Sequence, residues 1–451
     1  MRAFDLIVLR NVGDISHQTC KRLQALTLER MVWTAAYRNS CDFLPLGPKP
    51  SQTASYLEHI LVRAQRWDNL WRNANGQNRL GVEALSMAWS LPSGVKDNQQ
   101  MEIAHSRFLY VGGRSTMRVY DLQTRREIFA YQTANGEKLQ WMEFYRSGTV
   151  ESDGELNFYI PFLKNKMLIF AKLSGEGDVE MIDTNVSLDV TANGTIISIG
   201  YDVCLITRGG DFVSLFHIPS QKMYTMSSTL ITENGWVQPP VLPGYVLLSE
   251  MGDDGLTVIE LFAIPDHTTV PAGSPVKRTH SGIFPGVILD HPLFLSSELS
   301  NRGGTGDMWM VAFMDDRANP GPRPFCITLK ANGELDFYLL QIPEDHFAVA
   351  FPHSPIYTVI RGSRARGAAR TSIFSGMIMS PDELEEDGED RSGPLALYDI
   401  YKGSDGDMHI DTLCVECPSS SEDAMHDFVF DPFVGFVIWV DGIIQLWDLL
   451  A

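Results

Sequence analysis

No apolar run in this chain approaches the length of a membrane span, so no transmembrane helix is expected. Residues 4–12 are partly apolar, but Asp5 and Arg10 interrupt them and no small-residue cleavage site follows. That is not the pattern of a secretory signal. Cysteine is sparse: six are scattered over 451 residues, and only Cys414 and Cys417 lie close together. This excludes a disulfide framework and points to a reducing compartment, cytoplasmic or nuclear. Positive charge is scarce too. Lys and Arg number 36 against 56 Asp and Glu, a net charge of -20. A general nucleic-acid binder needs the opposite balance, and an anionic membrane surface would repel the chain.

Motifs that carry chemistry are also few. Cys414-Val-Glu-Cys417 is one CxxC without a second pair, and His409 and His426 do not stand at zinc-finger spacing. Gly303-Gly-Thr-Gly306 precedes neither Lys-Ser nor a helix, so it is no phosphate loop. No serine sits in a Gly-x-Ser-x-Gly elbow. No catalytic residue, metal ligand or cofactor is assigned, and the expectation is a non-enzyme. His217 lies inside an apolar β-prone run and is read as a packed or edge residue. His267 and His280, beside polar and turn-forming residues, are read as loop positions.

What the chain has in quantity is short β-prone runs separated by Gly, Asp, Asn and Ser turns, from about residue 80 onward. One ending recurs: Val119-Tyr120-Asp121-Leu122, Ile169-Phe170-Ala171-Lys172, Leu215-Phe216-His217-Ile218, Leu261-Phe262-Ala263-Ile264, Leu397-Tyr398-Asp399-Ile400 and Leu446-Trp447-Asp448-Leu449. Most steps are about 46–50 residues and one is about three times that, a period characteristic of four-stranded propeller blades. A seventh copy is inferred near Phe325-Cys326-Ile327-Thr328-Leu329, inside the long step. The fold class expected is mainly β: a β-propeller of about seven blades, six being possible, preceded by a small helical region. A two-sheet sandwich is the rival, but it predicts no such period. The hairpins resemble the inner strand pair of a WD-repeat blade, with Trp-Asp itself present only at Trp447-Asp448.

Residues 434–451 form two apolar runs around Asp441-Gly442, a dipeptide suited to a hairpin turn. An apolar strand at a bare edge invites pairing with other molecules, so another segment should cover it. The unassigned β-prone stretch Val82 to Ser90 is predicted to pair beside Ile443 to Leu449 and close the ring. Residues 361–393 interrupt the repeat. A basic run to Arg370 and an acidic run from Pro381 to Asp390 read as a mobile insertion, with Ile373 to Met379 between them able to form one strand.

Ahead of the β region the periodicity is helical. From Asp14, apolar residues Ile15, Cys20, Leu23, Leu26, Leu28, Met31, Val32 and Trp33 recur at threes and fours up to about residue 38. Prolines 45, 48 and 50 then stop any helix. A second helix follows, capped by Ser51, Thr53 or Ser55, with an apolar stripe of Leu57, Ile60, Leu61, Ala64, Trp67, Leu70 and Trp71. Arg63, Arg66 and Arg72 are expected off that stripe, and residues 73–76 end the helix.

Asp14-Ile15, Gln18-Thr19-Cys20-Lys21-Arg22-Leu23, Leu26-Thr27 and Val32-Trp33 together resemble the second half of an F-box. The context is similar to F-box proteins of mushroom-forming fungi. Met1 to Val12 lacks the family's opening Leu-Pro dipeptide and first helix, so the resemblance covers roughly 25 residues. It implies a substrate-recognition subunit of a cullin-type ubiquitin ligase. The front would dock to a Skp-family adaptor, and through it to a cullin, while the propeller holds a target protein. The matching positions, and so the candidate adaptor-binding residues, are Ile15, Cys20, Leu23, Leu26 and Trp33, some of which also build the box's own core. Two alternatives stay open: a propeller scaffold that has lost adaptor binding, and a propeller enzyme with a polar cluster at the channel mouth. The expected domains are a partial F-box-like region at 1–38, a proline-rich linker and long helix at 39–79, and a propeller at 80–451.

Overall fold

The computed structural model describes residues 29–39, 44, 48–73, 79–80, 86–91, 98–134, 137–141, 150–152, 155–188, 194–200, 202–208, 212–226, 241–242, 244–251, 256–285, 287–288, 308–316, 319–329, 335–339, 358–361, 364–365, 371–379, 395–402, 408–415, 428–431, 436–440 and 444–448. Residues 14–28, and with them most of the expected first helix, lie outside this set.

Two helices open the described chain, α1 (Arg30–Asn39) and α2 (Ala54–Asn73). Thr53 caps α2: its Oγ1 accepts the amide of Tyr56 at 3.2 Å and its carbonyl accepts the amide of Leu57 at 3.1 Å. The turn between the helices is held from α1. The Arg30 guanidinium donates to the carbonyl of Gln52 at 2.8 Å and to that of Lys49, while the Gln52 side chain accepts the Lys49 amide at 2.7 Å. The helices share a core of Trp33, Tyr37, Leu44, Tyr56, Leu57, Ile60, Leu61 and Ala64. The stripe expected on α2 is therefore the face it buries, as far as side chains are described. Arg63 departs from the expectation: it is only 5% exposed, while Arg66 is exposed as expected. A long aliphatic stem lets an arginine lie along apolar surface beside such a stripe.

The β region forms seven sheets among the described residues, each built around an antiparallel meander taken here in chain order. Sheet 1 is Asn98–Ala104, Phe108–Gly113, Thr116–Asp121 and Arg126–Gln132. Sheet 2 is Leu139–Trp141, Glu155–Lys164, Met167–Ser174 and Val179–Ser187, with Val150–Ser152 paired on its second strand. Sheet 3 is Gly194–Gly200, Val203–Arg208, Phe212–His217 and Lys222–Met226. Sheet 4 is Val241–Leu242, Tyr245–Met251, Leu256–Ala263 and Lys277–Pro285. Sheet 5 is Val287–Ile288, Met308–Asp316, Asn319–Leu329 and Leu335–Leu339. Sheet 6 is Thr358–Arg361, Thr371–Met379, Leu395–Lys402 and Met408–Val415, with Arg364–Ala365 paired on its second strand. Sheet 7 takes only three strands from its own stretch, Phe428–Asp431, Phe436–Val440 and Ile444–Asp448.

The fourth strand of sheet 7 is Ser86–Leu91, antiparallel to Ile444–Asp448, with Met87 opposite Trp447 and Leu91 opposite Ile444. The predicted closure is therefore present, shifted a few residues along the stretch from Val82. Just before it, Arg79–Leu80 adds a parallel strand to the outer edge of sheet 6, opposite Cys414 and Val415. Sheet 7 also contacts sheet 1 through Phe428–Asp431 and Asn98–Ala104. Successive meanders whose last sheet is completed by the first β-strands and meets the first sheet make a closed ring, a β-propeller. All seven sequence markers, the inferred one included, fall on third strands. Thr371–Met379, within the stretch read as an insertion, is the second strand of sheet 6 and contains Ile373 to Met379.

Packing follows from position in the sheet. The second strand of sheet 1, Phe108–Gly113, is buried throughout because sheets cover both of its faces. The fourth strand, Arg126–Gln132, faces solvent along most of its length. One apolar core joins Phe108, Tyr110 and Val119 of sheet 1 to Phe158, Phe162 and Phe170 of sheet 2 and to Ile206 and Phe216 of sheet 3. The Phe170 and Phe216 rings stack with centroids 6.1 Å apart. A second core joins Leu205, Leu215 and Tyr224 of sheet 3 to Val246, Leu248 and Phe262 of sheet 4.

Candidate interaction faces

A meander places the turns after its first and third strands at one end, and the turn after its second with the exit of its fourth at the other. The ring thus has an odd-turn face and an even-turn face. The helical front meets the odd-turn face. The Tyr56 hydroxyl of α2 donates to the carbonyl of His105, 3.3 Å away, in the first turn of sheet 1. His105 in turn reaches sheet 2, its Nε2 standing 3.0 Å from the carbonyl of Leu173. A carbonyl only accepts, so Nε2 carries the proton. Nδ1 is buried without a partner. The ring lies edge-on to Phe108 and Phe158, and burial lowers its pKa to about 4, against a smaller opposing effect of the Leu173 bond.

Beside this junction Arg107 pairs with Asp121 through two hydrogen bonds of 2.8 and 3.3 Å, and Asp121 also accepts the amide of Gln123. Burial pushes the Asp121 carboxyl up, but Arg107 and the local donors outweigh it and hold the group below the usual range. The same two positions in sheet 3 hold Asp202 and His217. His217 Nε2 lies 3.1 Å from Asp202 Oδ2, so Nε2 donates, and Nδ1 accepts from the hydroxyl (2.7 Å) and the amide (3.3 Å) of Ser220. His267 stacks on this ring, centroids 3.9 Å apart. It sits in residues 264–276, a loop of sheet 4 that runs along the outer strand of sheet 3: Thr225 exchanges backbone bonds with Ser274 and Val276, and the Lys222 ammonium donates to the carbonyl of His267 at 2.6 Å. Asp266 anchors the loop by accepting from Thr268 and Thr269, which brings its pKa to about 2.

Serine, histidine and aspartate stand in line here: the Ser220 bonds close the turn after the third strand, and the Asp202 bond ties the end of that strand to the residue before the second. His217 is a packed residue, as its setting in the sequence indicated, and His267 is in a loop. His280 is corrected: it lies in the fourth strand of sheet 4, since the polar residues around it are the solvent side of an outer strand. Among the described residues no three His, Cys, Asp or Glu side chains come together as a metal site. Among them, too, no helix is long and apolar enough to cross a membrane.

The even-turn face over sheets 1 and 2 is electrostatically different. Arg114 and Ser115 form a turn whose carbonyls accept the amides of Leu139 (2.6 Å) and Thr133 (3.0 Å). This draws Thr133 and Leu139, and with them Glu137 and Lys138, against it. The neighbouring turn carries Lys164, Asn165 and Lys166, with Asn165 and Lys166 at positive φ. Glu137 joins the two turns, accepting from Asn165 Nδ2 at 3.3 Å and lying 3.7 Å from the Lys164 ammonium. Lys164 also meets the Tyr131 hydroxyl at 3.3 Å.

Of the five candidate adaptor-binding residues, Ile15, Cys20, Leu23 and Leu26 lie outside the described residues. Trp33 is fully buried between the helices, so in this structure it builds the core of the front. The basic turns and the His105 junction were not visible in the sequence as sites. Each is assembled from residues far apart in the chain, and no local spacing marks it.

No family model matches the chain, and no curated protein does. Among solved structures the chain is similar to the WD40 domain of SCAP from fission yeast, at 11% identity and TM-score 0.35, covering 79% of this chain and 85% of that one. A chain of a mitotic checkpoint complex matches at 9% and 0.37, covering 81% and 95%. Hsv2 of Kluyveromyces lactis matches at 10% and 0.29, covering 70% and 97%. These are distant likenesses, and the fold assignment rests on the strand pairing.

Proposed function

We propose that this chain is a non-catalytic, protein-binding propeller that serves as the substrate receptor of a cullin-type ubiquitin ligase. The helical front is its adaptor-facing part and the ring holds the target. The observation that carries the reading is the mechanical join between the two. α1 and α2 have a core of their own, and Tyr56 and His105 tie that core to sheets 1 and 2. A receptor needs such a join to present its target at a fixed place. The F-box-like residues 14–33 supply the identity of the adaptor. Co-purification of the native chain tests it: a Skp-family adaptor and a cullin are expected in the complex, and their absence sinks the ligase role.

A second reading, a scaffold that has lost adaptor binding, is favoured by the burial of Trp33, one of the candidate adaptor contacts. In that case target proteins co-purify and adaptor and cullin do not.

A further inference from the structure

We propose that the loop of residues 264–276 is a pH-gated strap: it covers the outer edge of sheet 3 at neutral pH and lifts when both rings of the His217–His267 stack take a proton. The loop adds to that edge as a strand would. Gly273 donates its amide to the carbonyl of Met223 at 2.7 Å, Thr225 donates to that of Ser274 at 3.1 Å, and Val276 donates to that of Thr225 at 2.7 Å. Thr225 and Pro275 form a parallel bridge. An outer strand presents a row of unpaired main-chain groups, and the strap takes up those of Met223 and Thr225. Nearer its start the strap is held by the ring of His267 on that of His217, and by the Lys222 ammonium on the carbonyls of His267 and Val270.

Histidine is the side chain whose charge changes between about pH 5 and 8. Three other charged groups belong to the cluster: Asp202 before the second strand of sheet 3, Lys222 on its outer strand, and Asp266 in the loop. Asp202 favours a charge on His217, and Ser220 opposes one at Nδ1, but both are parts of sheet 3 and stay with His217 when the strap lifts. Asp266 likewise travels with His267. These effects are common to the two states and cancel. What separates the states is the contact between the loop and the sheet. One proton is accommodated there, as an imidazolium over a neutral ring. Two charged rings with centroids 3.9 Å apart repel, and the burial of His217 leaves them poorly screened. Lys222, bonded to the main chain of His267, adds a third positive charge. With the strap lifted each ring takes its proton without the other. The lifted state therefore binds more protons, and the balance moves toward it as pH falls through the histidine range. Nothing in the strap depends on the receptor role, so loss of adaptor and cullin from the complex leaves it untouched.

Hydrogen exchange of the full chain, corrected for the intrinsic effect of pH on exchange, is followed at the amides of Thr225, Gly273 and Val276 and at a reference strand, Met167–Ser174 of sheet 2. From about pH 7.5 to about pH 5.5 protection of the three amides is expected to fall about tenfold or more while the reference holds. His267→Phe keeps a ring on His217 without a charge and should abolish the fall. His267→Gln keeps neither ring nor charge; it should protect the strap less, but equally at both pH values. A wild-type strap equally protected at both pH values, the same fall in either uncharged variant, or an equal fall in the reference strand each overturns the proposal.

Discussion

His105 should make the stability of this protein depend on pH above the range where carboxylates titrate. The ring is buried at the meeting of α2, sheet 1 and sheet 2; its Nε2–H is spent on Leu173, and its Nδ1 has no acceptor in reach. Protonation would create a buried charge and an N–H with nowhere to point. The ring therefore stays neutral in the folded state down to about pH 4, against 6.5 for the unfolded chain. The unfolded state binds the extra proton first, so stability is complete above about pH 6.5 and falls as pH drops toward 4. Between about pH 7.5 and pH 5 this one group removes about 2 kcal/mol. Urea unfolding of the wild type and of His105→Gln at both pH values isolates the effect from the acidic residues common to both. The variant should be less stable at neutral pH, having lost its ring contacts, yet flatter with pH by about that amount. Equal slopes would refute the reasoning, as would an imidazole at 105 that titrates near 6.5 in the folded chain.

Two further outcomes follow from the packing. Gly177 has φ +99°, and an added Cβ would lie 3.0 Å from Ile128 Cδ1 and Phe108 Cε1, so Gly177→Ala should cost about 1–3 kcal/mol in thermal unfolding, and a change within about 0.5 kcal/mol would contradict the contact between sheets 1 and 2. Trp33→Ala should destabilise the helical front by about 3–5 kcal/mol, seen as faster proteolysis of residues 30–73 than of the ring, whereas Met31→Ala, two residues away and 77% exposed, should change little.

The ring was legible in the sequence because a blade's third strand repeats a local pattern, and local patterns survive in a linear reading. The register was less so. In sheets 1, 3, 4 and 7 the marker positions Asp121, His217, Ala263 and Asp448 are the last residues of their third strands. In sheets 2 and 6 the third strands run on to Ser174 and Lys402, three residues past Ala171 and Asp399. Counted from the odd-turn end of the third strand Tyr401 matches Trp447, whereas counted from the hairpin with the second strand Tyr398 does. An odd slip reverses which face of the sheet a side chain meets. Neighbouring sheets decide it, and they are dozens of residues away. The stacking of His217 on His267 and the burial of Arg63 escaped the sequence reading for the same reason. Each is set by a partner element and not by the residue's own surroundings in the chain.

The closing strand links the front to the ring more tightly than the repeat alone would require. α2 ends at Asn73, and the chain then adds Arg79–Leu80 to sheet 6 and Ser86–Leu91 to sheet 7 before it enters sheet 1. Near its start α2 is held to sheet 1 by the Tyr56 bond to His105, and after its end the chain is paired into sheets 6 and 7. The helical front is therefore attached on both sides of the place where the ring closes. A force on the front is carried into backbone pairing at the seam, where Trp89 opposes Leu446 and Ser90 opposes Gln445. Loosening the front should accordingly loosen the seam. If the front docks a partner while the ring holds a target, the two are joined through the strand that makes the ring a closed body.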